Sequence, residues 1–410
     1  MNTKADDPRG EGRPLTFLLT GGRAPVTLEL ARLLAGTGAG HRVFIAESLE
    51  RHLCRVSRAV AGSFVVPPPR ENVEAYVEAL TGIVRKYDVD MLIPTCEEVM
   101  YVSQGAEALS EYCTVFADSF AKLKRLHSKW AFIRRAEELG FRVPATRLIA
   151  SADEWLAAAE HAPAPDGLVL KPVFSRFAAK VVVIEPKKAG ERPWCGAAPE
   201  VTAACPWIAQ QYISGRQLCT YTIVHDGTVV AHTAYEARYT AGRGACIQFQ
   251  PLEHPVAAEW VNRFVRLERF TGQIAFDFIE TTDGTLYPLE CNPRATSGLH
   301  LLRDTPGVDL AFAAPDKLGG KMLVAAAEAK AMVAPAMLLY GMRGVRSWSG
   351  WKAWVQAFAS SRDVVFHQSD WRPAIEQLRL LRLLHGIGKQ RKITLMEAST
   401  YDIEWNGEQR

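Results

Sequence analysis

The feature that most constrains the fold is a pair of apolar segments joined by an Asp-Gly dipeptide, in the run QIAFDFIETTDGTLYPLECNPR. Asp-Gly favours a two-residue type I′ turn, which joins antiparallel strands and fixes their register. Counting outward from such a turn puts Asp277 opposite Glu290 and Ile279 opposite Pro288. The segment therefore predicts a β-hairpin on which two carboxylates face each other.

Three oxygen-bearing side chains are predicted on one face of this hairpin. Asn292 lies two residues beyond Glu290, and alternate residues of a strand share a face. Facing carboxylates repel each other unless a cation or a proton intervenes, and hard oxygen ligands suit Mg²⁺ that bridges phosphates. Asp277, Glu290 and Asn292 are therefore candidate metal ligands, with solvated carboxylates paired to Lys or Arg as the alternative. Arg294 is a candidate cation for developing phosphoryl charge.

Short apolar runs alternate with helical patterns in the N-terminal part of the chain. The runs LTFLLT, RVFIAE and MLIPT are separated by predicted helices near residues 24–36 and 71–87. This alternation is typical of a parallel sheet. The turn at residues 20–23, TGGR, lacks the G-x-G-x-x-G spacing of a dinucleotide site, so we interpret it as a tight strand-to-helix turn, with phosphate binding at the helix N-terminus as the alternative.

The pattern changes twice further along the chain. A helix is predicted near residues 129–139, with Ser128 as its N-cap and Gly140 at its end. Beyond Ala150, β-rich segments separated by Gly, Pro and Asp turns predict an α+β region. After residue 335, the runs SWSGWKAWVQAF and AIEQLRLLRLLHGIG each predict an amphipathic helix. We expect this part to pack onto the body, with docking to another protein or a membrane surface as the alternative.

Composition argues against several classes of protein. The 48 Lys and Arg against 45 Asp and Glu give a formal charge of +3, too small to indicate a nucleic-acid surface. The polar residues 1–14 predict a flexible tail rather than a signal peptide, and the apolar runs are too short for a transmembrane span. Eight cysteines without a C-x-x-C pattern are typical of buried thiols in a reducing compartment, so we expect a cytoplasmic protein.

The hairpin residues, written as D-F-I-x(10)-E-C-N-P-R, resemble the closing motif of the ATP-grasp superfamily. In that family, Asp, Glu and Asn bind one or two Mg²⁺ ions on ATP. The resemblance extends from about Leu15 to Leu310 and is to the branch of the carbamoyl-phosphate synthase large subunit and biotin carboxylase. It implies an α/β and α+β fold, with an N-terminal Rossmann-like pre-ATP-grasp domain followed by a two-lobed ATP-grasp domain. The predicted regions are a flexible tail (1–14), the pre-ATP-grasp domain (15–120), the ATP-grasp domain (121–335, small lobe about 145–213) and a C-terminal helical extension (336–410).

Two lysines match the family's phosphate-contacting positions. Lys129 opens a helix in the run HSKW, and Lys171 follows an apolar strand in LKP. A lysine in such a strand needs an anion, although without the resemblance we would favour its reaching solvent. The family's Gly-rich loop corresponds to FSRFAAK, which has no Gly. Ser175 and backbone amides remain available to cap the phosphates, and Arg176 or Lys180 to replace lost contacts.

The adenine hinge of the family corresponds to the run QQYISGRQ, where Gln210 and Gln217 replace two acids. Backbone groups here can pair with adenine, and a Gln carbonyl can accept from ribose hydroxyls without charge assistance. The nucleotide-binding residues that the resemblance implies are Lys129, Lys171, Ser175, Gln210, Gln211, Tyr212, Ile213 and Gln217.

The activity that the resemblance implies is phosphorylation of a carboxylate by ATP to an acylphosphate, followed by attack of an amine to form an amide. Lys171 and Arg294 would neutralise charge as the phosphoryl group moves. Arg238 and Arg243, in EARYTAGRGA, are candidates for holding the carboxylate or the γ-phosphate, with solvated loop arginines as the alternative.

The acceptor side of the site is expected in the N-terminal domain. Thr95, Glu97 and Glu98 follow the strand MLIPT, at the edge where parallel sheets bind ligands, and are candidates for holding a substrate amine. Solvated loop acids are the favoured interpretation of this pair.

The implied cofactors are ATP and one or two Mg²⁺ ions, with Mn²⁺ as a substitute. The implied partners are a small carboxylate and an amine, without nucleic acid, and a homodimer is a candidate assembly. Competing hypotheses are a kinase that releases a stable phosphate and a non-catalytic ATP-binding regulator. An NAD-binding oxidoreductase would need a dinucleotide fingerprint that the sequence lacks.

Overall fold

The structure is a computed structural model that describes residues 13–160, 167–176, 180–185, 198–242, 245–343 and 345–407. The chain divides into two compact units. The first contains Met1–Ala117, Pro306–Gly319 and Val365–Ile403, and the second contains Asp118–Thr305, Gly320–Val364 and Glu404–Arg410. Among the helices of the described ranges, none combines the length and the apolar content needed to cross a bilayer.

The strands of both units are short to medium in length. Within the described residues they are β1 (Thr16–Thr20), β2 (Arg42–Glu47), β3 (Gly62–Val65), β4 (Met91–Ile93), β5 (Thr114–Val115), β6 (Thr146–Ile149), β7 (Leu168–Pro172), β8 (Val182–Ile184), β9 (Trp207–Gln211), β10 (Arg216–His225), β11 (Thr228–Glu236), β12 (Thr240–Ala241), β13 (Ala245–Cys246), β14 (Gln248–Phe249), β15 (Gly272–Glu280), β16 (Leu286–Asn292), β17 (Leu323–Val324), β18 (Ala331–Met332) and β19 (Arg362–Asp363).

Helices connect and cover these strands. In the same ranges they are α1 (Pro25–Ala35), α2 (Val73–Tyr87), α3 (Glu98–Gln104), α4 (Ala106–Ser110), α5 (Phe120–His127), α6 (Lys129–Glu138), α7 (Ala152–Glu160), α8 (Pro255–Glu268), α9 (Val308–Ala313), α10 (Ala334–Leu339), α11 (Trp348–Ser360), α12 (Arg372–Arg391) and α13 (Leu395–Ala398), with 3₁₀ turns at Leu53–Val56, Ser297–Leu302, Pro315–Leu318 and Gln368–Asp370.

The first unit is built on a five-stranded sheet in the order β3-β2-β1-β4-β5, in which every pairing is parallel. All five residues of β1 are buried, which makes it the centre of the core. The predicted helices near residues 24–36 and 71–87 are confirmed as α1 and α2. Alternating apolar and helical segments thus produce the parallel sheet that the sequence predicts.

The turn after β1 is a packing turn, as predicted. A Cβ on Gly22 would lie 2.5 Å from Nδ1 of His52, so only glycine fits there. The next residue, Arg23, points into the unit, where its Nε donates to Oε1 of Glu47 at 3.0 Å and its Nη1 donates to Oδ1 of Asp402 at 2.7 Å. Because Glu47 at the carboxyl end of β2 is already paired with Arg23, its carboxylate is not available to a ligand.

The acidic pair after β4 is buried, contrary to the prediction from the sequence. Glu97 and Glu98 were expected as solvated loop acids, but they are 1% and 3% exposed. Thr95 is also buried, and its hydroxyl donates to the Thr20 carbonyl at 2.6 Å. The expectation was wrong because α3 begins at Glu98 and draws the acidic pair into the unit.

The second unit contains two larger sheets. A four-stranded sheet in the order β6-β9-β7-β8 packs against α7 through a core that includes Trp155 and Trp207. A five-stranded sheet in the order β16-β15-β10-β11-β17 carries the predicted hairpin as β15 and β16. Phe276 of β15 packs against Phe132 of α6 and Phe264 of α8, so these helices cover one face of the sheet. Together with the first unit, this confirms the predicted α/β and α+β fold.

Three smaller predictions have mixed outcomes. The two amphipathic runs are helices, α11 and α12, as predicted, and α12 packs against the 3₁₀ turn Leu53–Val56 of the first unit. The expectation of uniformly buried thiols was wrong, because Cys205 is exposed and Cys246 is half-buried. Cys195 lies outside the described residues.

Candidate active site

The hairpin reaches its predicted pairing by a different route. Asp277 does lie opposite Glu290, as predicted. The two-residue turn was wrong, however: the Thr281 amide donates to the Thr285 carbonyl at 3.0 Å, so three residues form the loop. Gly284 has φ +80, the left-handed conformation expected at the last position of such a loop.

A β-bulge restores the register that the longer loop shifts. Near the loop, Ile279 pairs with Tyr287 rather than with Pro288, which corrects the predicted partner. The pairing then shifts between Asp277 and Phe278, and Leu289 is the additional residue on β16. Bulges bend a strand and redirect its groups, and they recur beside active sites. Here the shift in the loop and the shift at the bulge cancel, which preserves the facing carboxylates.

The bulge also provides an acceptor for a buried lysine. Lys171, near the end of β7, is 6% exposed, and its Nζ donates to the Leu289 carbonyl at 3.1 Å. Burial, the largest cause, lowers the pKa of Lys171 to about 8, and the nearby charge of Lys129 acts in the same direction. The charge of Glu290 acts in the opposite direction but does not outweigh them. A neutral carbonyl does not balance the charge of a buried ammonium group, so an anion bound at this position would stabilise it.

Lys129, at the start of α6, contacts the carboxylate of Glu290. Ser128 caps this helix, since its side chain accepts from the Ala131 amide, as the sequence predicts. The Lys129 side chain is buried, and its Nζ lies 3.3 Å from Oε2 of Glu290 and donates to the Ser175 carbonyl at 3.0 Å. The helix start therefore links the loop after β7 to the hairpin.

Asn292 and Arg294 continue the row of polar groups along β16. Nδ2 of Asn292 donates to Oε1 of Glu290 at 3.3 Å, and Nη2 of Arg294 donates to Oδ1 of Asn292 at 3.1 Å. Each side chain is half-buried. The amide thus bridges a carboxylate and a guanidinium, and all three predicted metal ligands lie on one surface together with Lys129.

The two facing carboxylates have opposite electrostatic environments. Burial, followed by the charge of Glu290, raises the pKa of Asp277. Burial also opposes ionisation of Glu290, but the charges of Lys129 and Lys171 outweigh it and lower the pKa of Glu290. Asp277 is therefore shifted toward its neutral form and Glu290 toward its charged form, and a cation bound between them would relieve their repulsion.

The donor set fits a magnesium ion that shares its coordination with phosphates. Within the described part of the chain, no group of three or more His, Cys, Asp or Glu residues could hold a metal by itself. Two carboxylates and an amide are too few for a complete protein cage, but Mg²⁺ is usually held by one or two carboxylates with phosphate and water completing the shell. The buried ammonium groups of Lys129 and Lys171 suit the same phosphates.

The other residues predicted to contact the carboxylate substrate or the phosphates do not gather beside the hairpin carboxylates. Arg238 is exposed and lies over the Tyr239 ring at 5.6 Å, and within the described residues it makes no hydrogen bond or ion pair. The structure therefore does not bring it to the carboxylates. Arg243 lies outside the described residues. Lys180 is exposed, and Ser175 participates through its carbonyl to Lys129.

The predicted adenine hinge occupies the end of β9 and the start of β10. Gln210 is buried, and its Nε2 donates to the Thr146 hydroxyl at 3.1 Å. The Gln211 amide donates to the Ala145 carbonyl at 2.8 Å, and the Tyr212 amide donates to the Gly167 carbonyl at 3.4 Å. Ile213 is buried and Gln217 is half-buried on β10. The amides of Gln211 and Tyr212 are thus engaged within the sheet.

One group beside the segment FSRFAAK could not be predicted from the sequence. Trp405, near the end of the chain, is buried and packs edge-on against Phe174 with ring centroids 5.1 Å apart. A Cβ on Gly407 would lie 2.6 Å from the Phe174 ring. The segment that replaces the family's Gly-rich loop therefore begins at an anchored aromatic residue, and only the Trp-rich character of the C-terminal part hinted at such a contact.

A family model matches the region of the chain that contains this cluster. Residues 126–298 match the family model of the ATP-grasp domain, and this range includes both lysines and every predicted metal ligand. This part of the chain is similar to the ATP-grasp domain. No curated protein sequence matches the chain.

Several solved structures share the fold at low sequence identity. N5-carboxyaminoimidazole synthetase from Staphylococcus aureus, complexed with ADP, aligns with a TM-score of 0.56 and 16% identity over 73% of this chain and 77% of that chain. The biotin carboxylase domain of 2-oxoglutarate carboxylase from Hydrogenobacter thermophilus, with MgADP and bicarbonate, gives 0.55 and 13% over 75% and 70%. L-amino acid ligase from Bacillus licheniformis gives 0.50 and 17% over 72% and 69%. These matches confirm the predicted fold.

Proposed function

We propose that this ATP-grasp protein is an ADP-forming ligase that joins a carboxylate to an amine and requires ATP and Mg²⁺. The observation that carries the proposal is the cluster in which Lys129 and Lys171 are buried beside the facing carboxylates Asp277 and Glu290. Two cations and two acids in one place suit a ligand that combines a polyphosphate with a divalent metal. The structural neighbours that hold ADP or MgADP support the same choice of nucleotide.

The role of each residue follows from its charge and position. Asp277, Glu290 and Asn292 hold Mg²⁺, and Mn²⁺ is a candidate replacement. Lys129 and Lys171 bind the phosphates, and the metal supplies charge neutralisation at the transferred group. The carboxylate substrate attacks the γ-phosphorus, ADP leaves, and the amine then displaces phosphate from the acylphosphate to form the amide. Protein catalysis here consists of positioning and electrostatic stabilisation.

The remaining assignments are candidates for substrate and nucleotide contact. Arg294 is hydrogen-bonded to Asn292, so it is well situated to neutralise phosphoryl charge. The other proposed contacts are Arg238, Arg243, Ser175, Gln210, Gln211, Tyr212, Ile213 and Gln217. The domain boundaries, the cytoplasmic location and a homodimer remain predictions.

A screen for ADP release tests the proposal directly. The protein is incubated with Mg²⁺-ATP and paired carboxylates and amines, and products are identified by mass. A ligase gives an amide only when both substrates are present, whereas a kinase gives a phosphorylated product from one substrate. A non-catalytic regulator, which the absence of Gly in FSRFAAK favours, binds ATP without turnover. Glu290→Gln should abolish ADP release; if turnover is unchanged, the metal assignment is wrong.

A further inference from the structure

An exposed aromatic and basic surface lies on the second unit, at α10 and α11. We propose that this surface docks on an anionic lipid bilayer. It consists of α10, the following residues 340–343 and the start of α11, and we call it the aromatic face. Its exposed apolar residues are Leu338, Leu339, Tyr340, Met342, Trp348 and Trp351. The proposal does not depend on the ligase chemistry.

The exposure of these side chains is unusually large. Trp348 is 67% exposed, Leu339 is 66% exposed and Leu338 is 52% exposed. Trp348 stacks on Trp351 with ring centroids 4.8 Å apart, so the two indoles form one flat apolar platform. Several exposed apolar side chains within one short segment favour an interaction site, because single exposed apolar residues are common but clusters are not.

A buried tryptophan next to the exposed pair anchors α11. Trp354, one turn beyond Trp351 on α11, is buried with Met337, and its Nε1 donates to the Met337 carbonyl at 3.3 Å. A Cβ on Gly341 would lie 2.8 Å from that indole nitrogen, so the backbone just after α10 approaches α11 closely at this point. Trp354 and Met337 therefore form the buried contact of α11 with the α10 segment, whereas Trp348 and Trp351 are exposed.

The charge of the segment selects the partner. No acidic residue occurs between Glu328 and Asp363. Arg343, Arg346 and Lys352 are exposed on the same segment. Arg343 lies over the Tyr340 ring at 4.6 Å, and Lys352 lies over the Trp348 ring at 5.8 Å. Trp and Tyr with neighbouring Lys and Arg are typical of the interface between an anionic bilayer and water.

Self-association fits this surface less well. A twofold dimer would bring the same patch against itself, and Arg343, Arg346 and Lys352 would then face their own copies. Cores of protein interfaces are also depleted in charged residues. Because α11 has 13 residues and a span needs about 20, the helix would lie in the interface without crossing it.

Vesicle flotation with the full chain tests the proposal. The probes are vesicles of phosphatidylcholine alone and vesicles in which about a third of the lipid is phosphatidylserine. We expect the protein to float with the anionic vesicles at low salt, to dissociate as salt rises, and to remain unbound with phosphatidylcholine alone. Failure to bind the anionic vesicles, or equal binding to both, would overturn the proposal.

Two sets of variants separate the contributions. Trp348→Ala with Trp351→Ala should abolish flotation, and neutralising Arg343, Arg346 and Lys352 to Gln should weaken binding on the order of a hundredfold, since each cation contributes about 1 kcal/mol.

The matched control is Val256→Ala with Leu267→Ala, which removes exposed apolar side chains of α8 in the same unit and should leave binding unchanged. Wild-type flotation by the double Trp variant contradicts the proposal. A concentration-dependent dimer that this variant dissociates would also overturn it, in favour of a second copy of the chain. If the Trp variant fails to fold, the Gln variant decides, because it removes only exposed charges.

Discussion

Buried charges occur in both units, but they are balanced in opposite ways. In the first unit, Arg23 is enclosed by Glu47 and Asp402, and all three side chains are 5% exposed or less. Burial alone would raise the pKa of Glu47, but the charge and hydrogen bonds of Arg23 outweigh it and lower that pKa to about 2. Arg23 and Glu47 thus both favour their charged forms, and their charges are balanced within the protein.

The cluster of the second unit is incompletely balanced by the protein. Lys171 donates to a backbone carbonyl, and burial lowers its pKa to about 8. Asp277 faces Glu290, and its pKa is raised. Both Lys171 and Asp277 are therefore shifted toward their neutral forms. The contrast teaches that burial of charge does not by itself indicate a site; a buried charge without a matching partner does.

Replacement of Lys171 should have the largest effect on activity. We expect Lys171→Met to reduce ADP release by about 10²- to 10³-fold, because a positioned cation is lost from the phosphoryl-transfer site. Its effect on the free energy of unfolding should be small, since a buried cation is replaced by an apolar chain of similar size. Lys321→Met, at an exposed lysine of the same unit, is the control for both measurements. A large loss of stability in Lys171→Met would break the comparison.

Replacement of Arg23 should affect stability instead. Arg23→Met leaves Glu47 and Asp402 buried without their cation, so we expect the free energy of unfolding to fall by about 3–5 kcal/mol. Urea denaturation measures this change. Arg55→Met, at an exposed arginine of the same unit, should change stability little. Equal stability of the Arg23 and Arg55 variants would show that the closed cluster is not structural.

The pH dependence of stability sharpens the same contrast. The folded-state pKa of Glu47 is about 2 against an ordinary 4.5, so its contribution is fully present above pH 4.5 and is lost as pH falls toward 2. Glu47→Gln should therefore be less stable than the wild type by on the order of 3 kcal/mol at pH 7, and the difference should shrink below pH 4.5. Unfolding curves at pH 7, 4 and 3 test this; a constant difference contradicts it.

A substitution in the predicted adenine hinge should have the smallest effect, which is on ATP affinity. Gln217→Glu adds an acceptor for ribose hydroxyls with charge assistance, and we expect ATP affinity to rise by roughly five- to tenfold, which corresponds to about 1 kcal/mol. Calorimetric titration measures it. Gln356→Glu introduces the same charge at an exposed position of α11, outside the predicted hinge, and should not tighten binding. Equal effects of the two variants would show that only net charge matters.

Local signals in the sequence predicted much of the second unit's cluster. The pairing of Asp277 with Glu290 followed from strand periodicity and the position of the Asp-Gly dipeptide. The sequence did not reveal the three-residue loop or the bulge at Leu289, because Asp-Gly is compatible with more than one loop and bulges have no strong composition signal. The pairing was right because the two shifts cancel.

Contacts between distant parts of the chain were beyond sequence reasoning. Arg23 and Asp402 are separated by 379 positions, and neither position has a local pattern that names its partner. Trp405 packs on Phe174 in the same unexpected way. Burial of Glu97 and Glu98 was also missed, because an acidic pair after a strand favours solvent on composition alone.

Calorimetric titration of ATP with and without Mg²⁺ tests the central claim, that the hairpin carboxylates hold a metal-bound nucleotide. The wild type should bind ATP in a magnesium-dependent way. Asp277→Asn should lose that dependence, whereas Asp283→Asn, an exposed aspartate in the loop of the same hairpin, should retain it. Magnesium-dependent binding by Asp277→Asn at wild-type affinity would contradict the account.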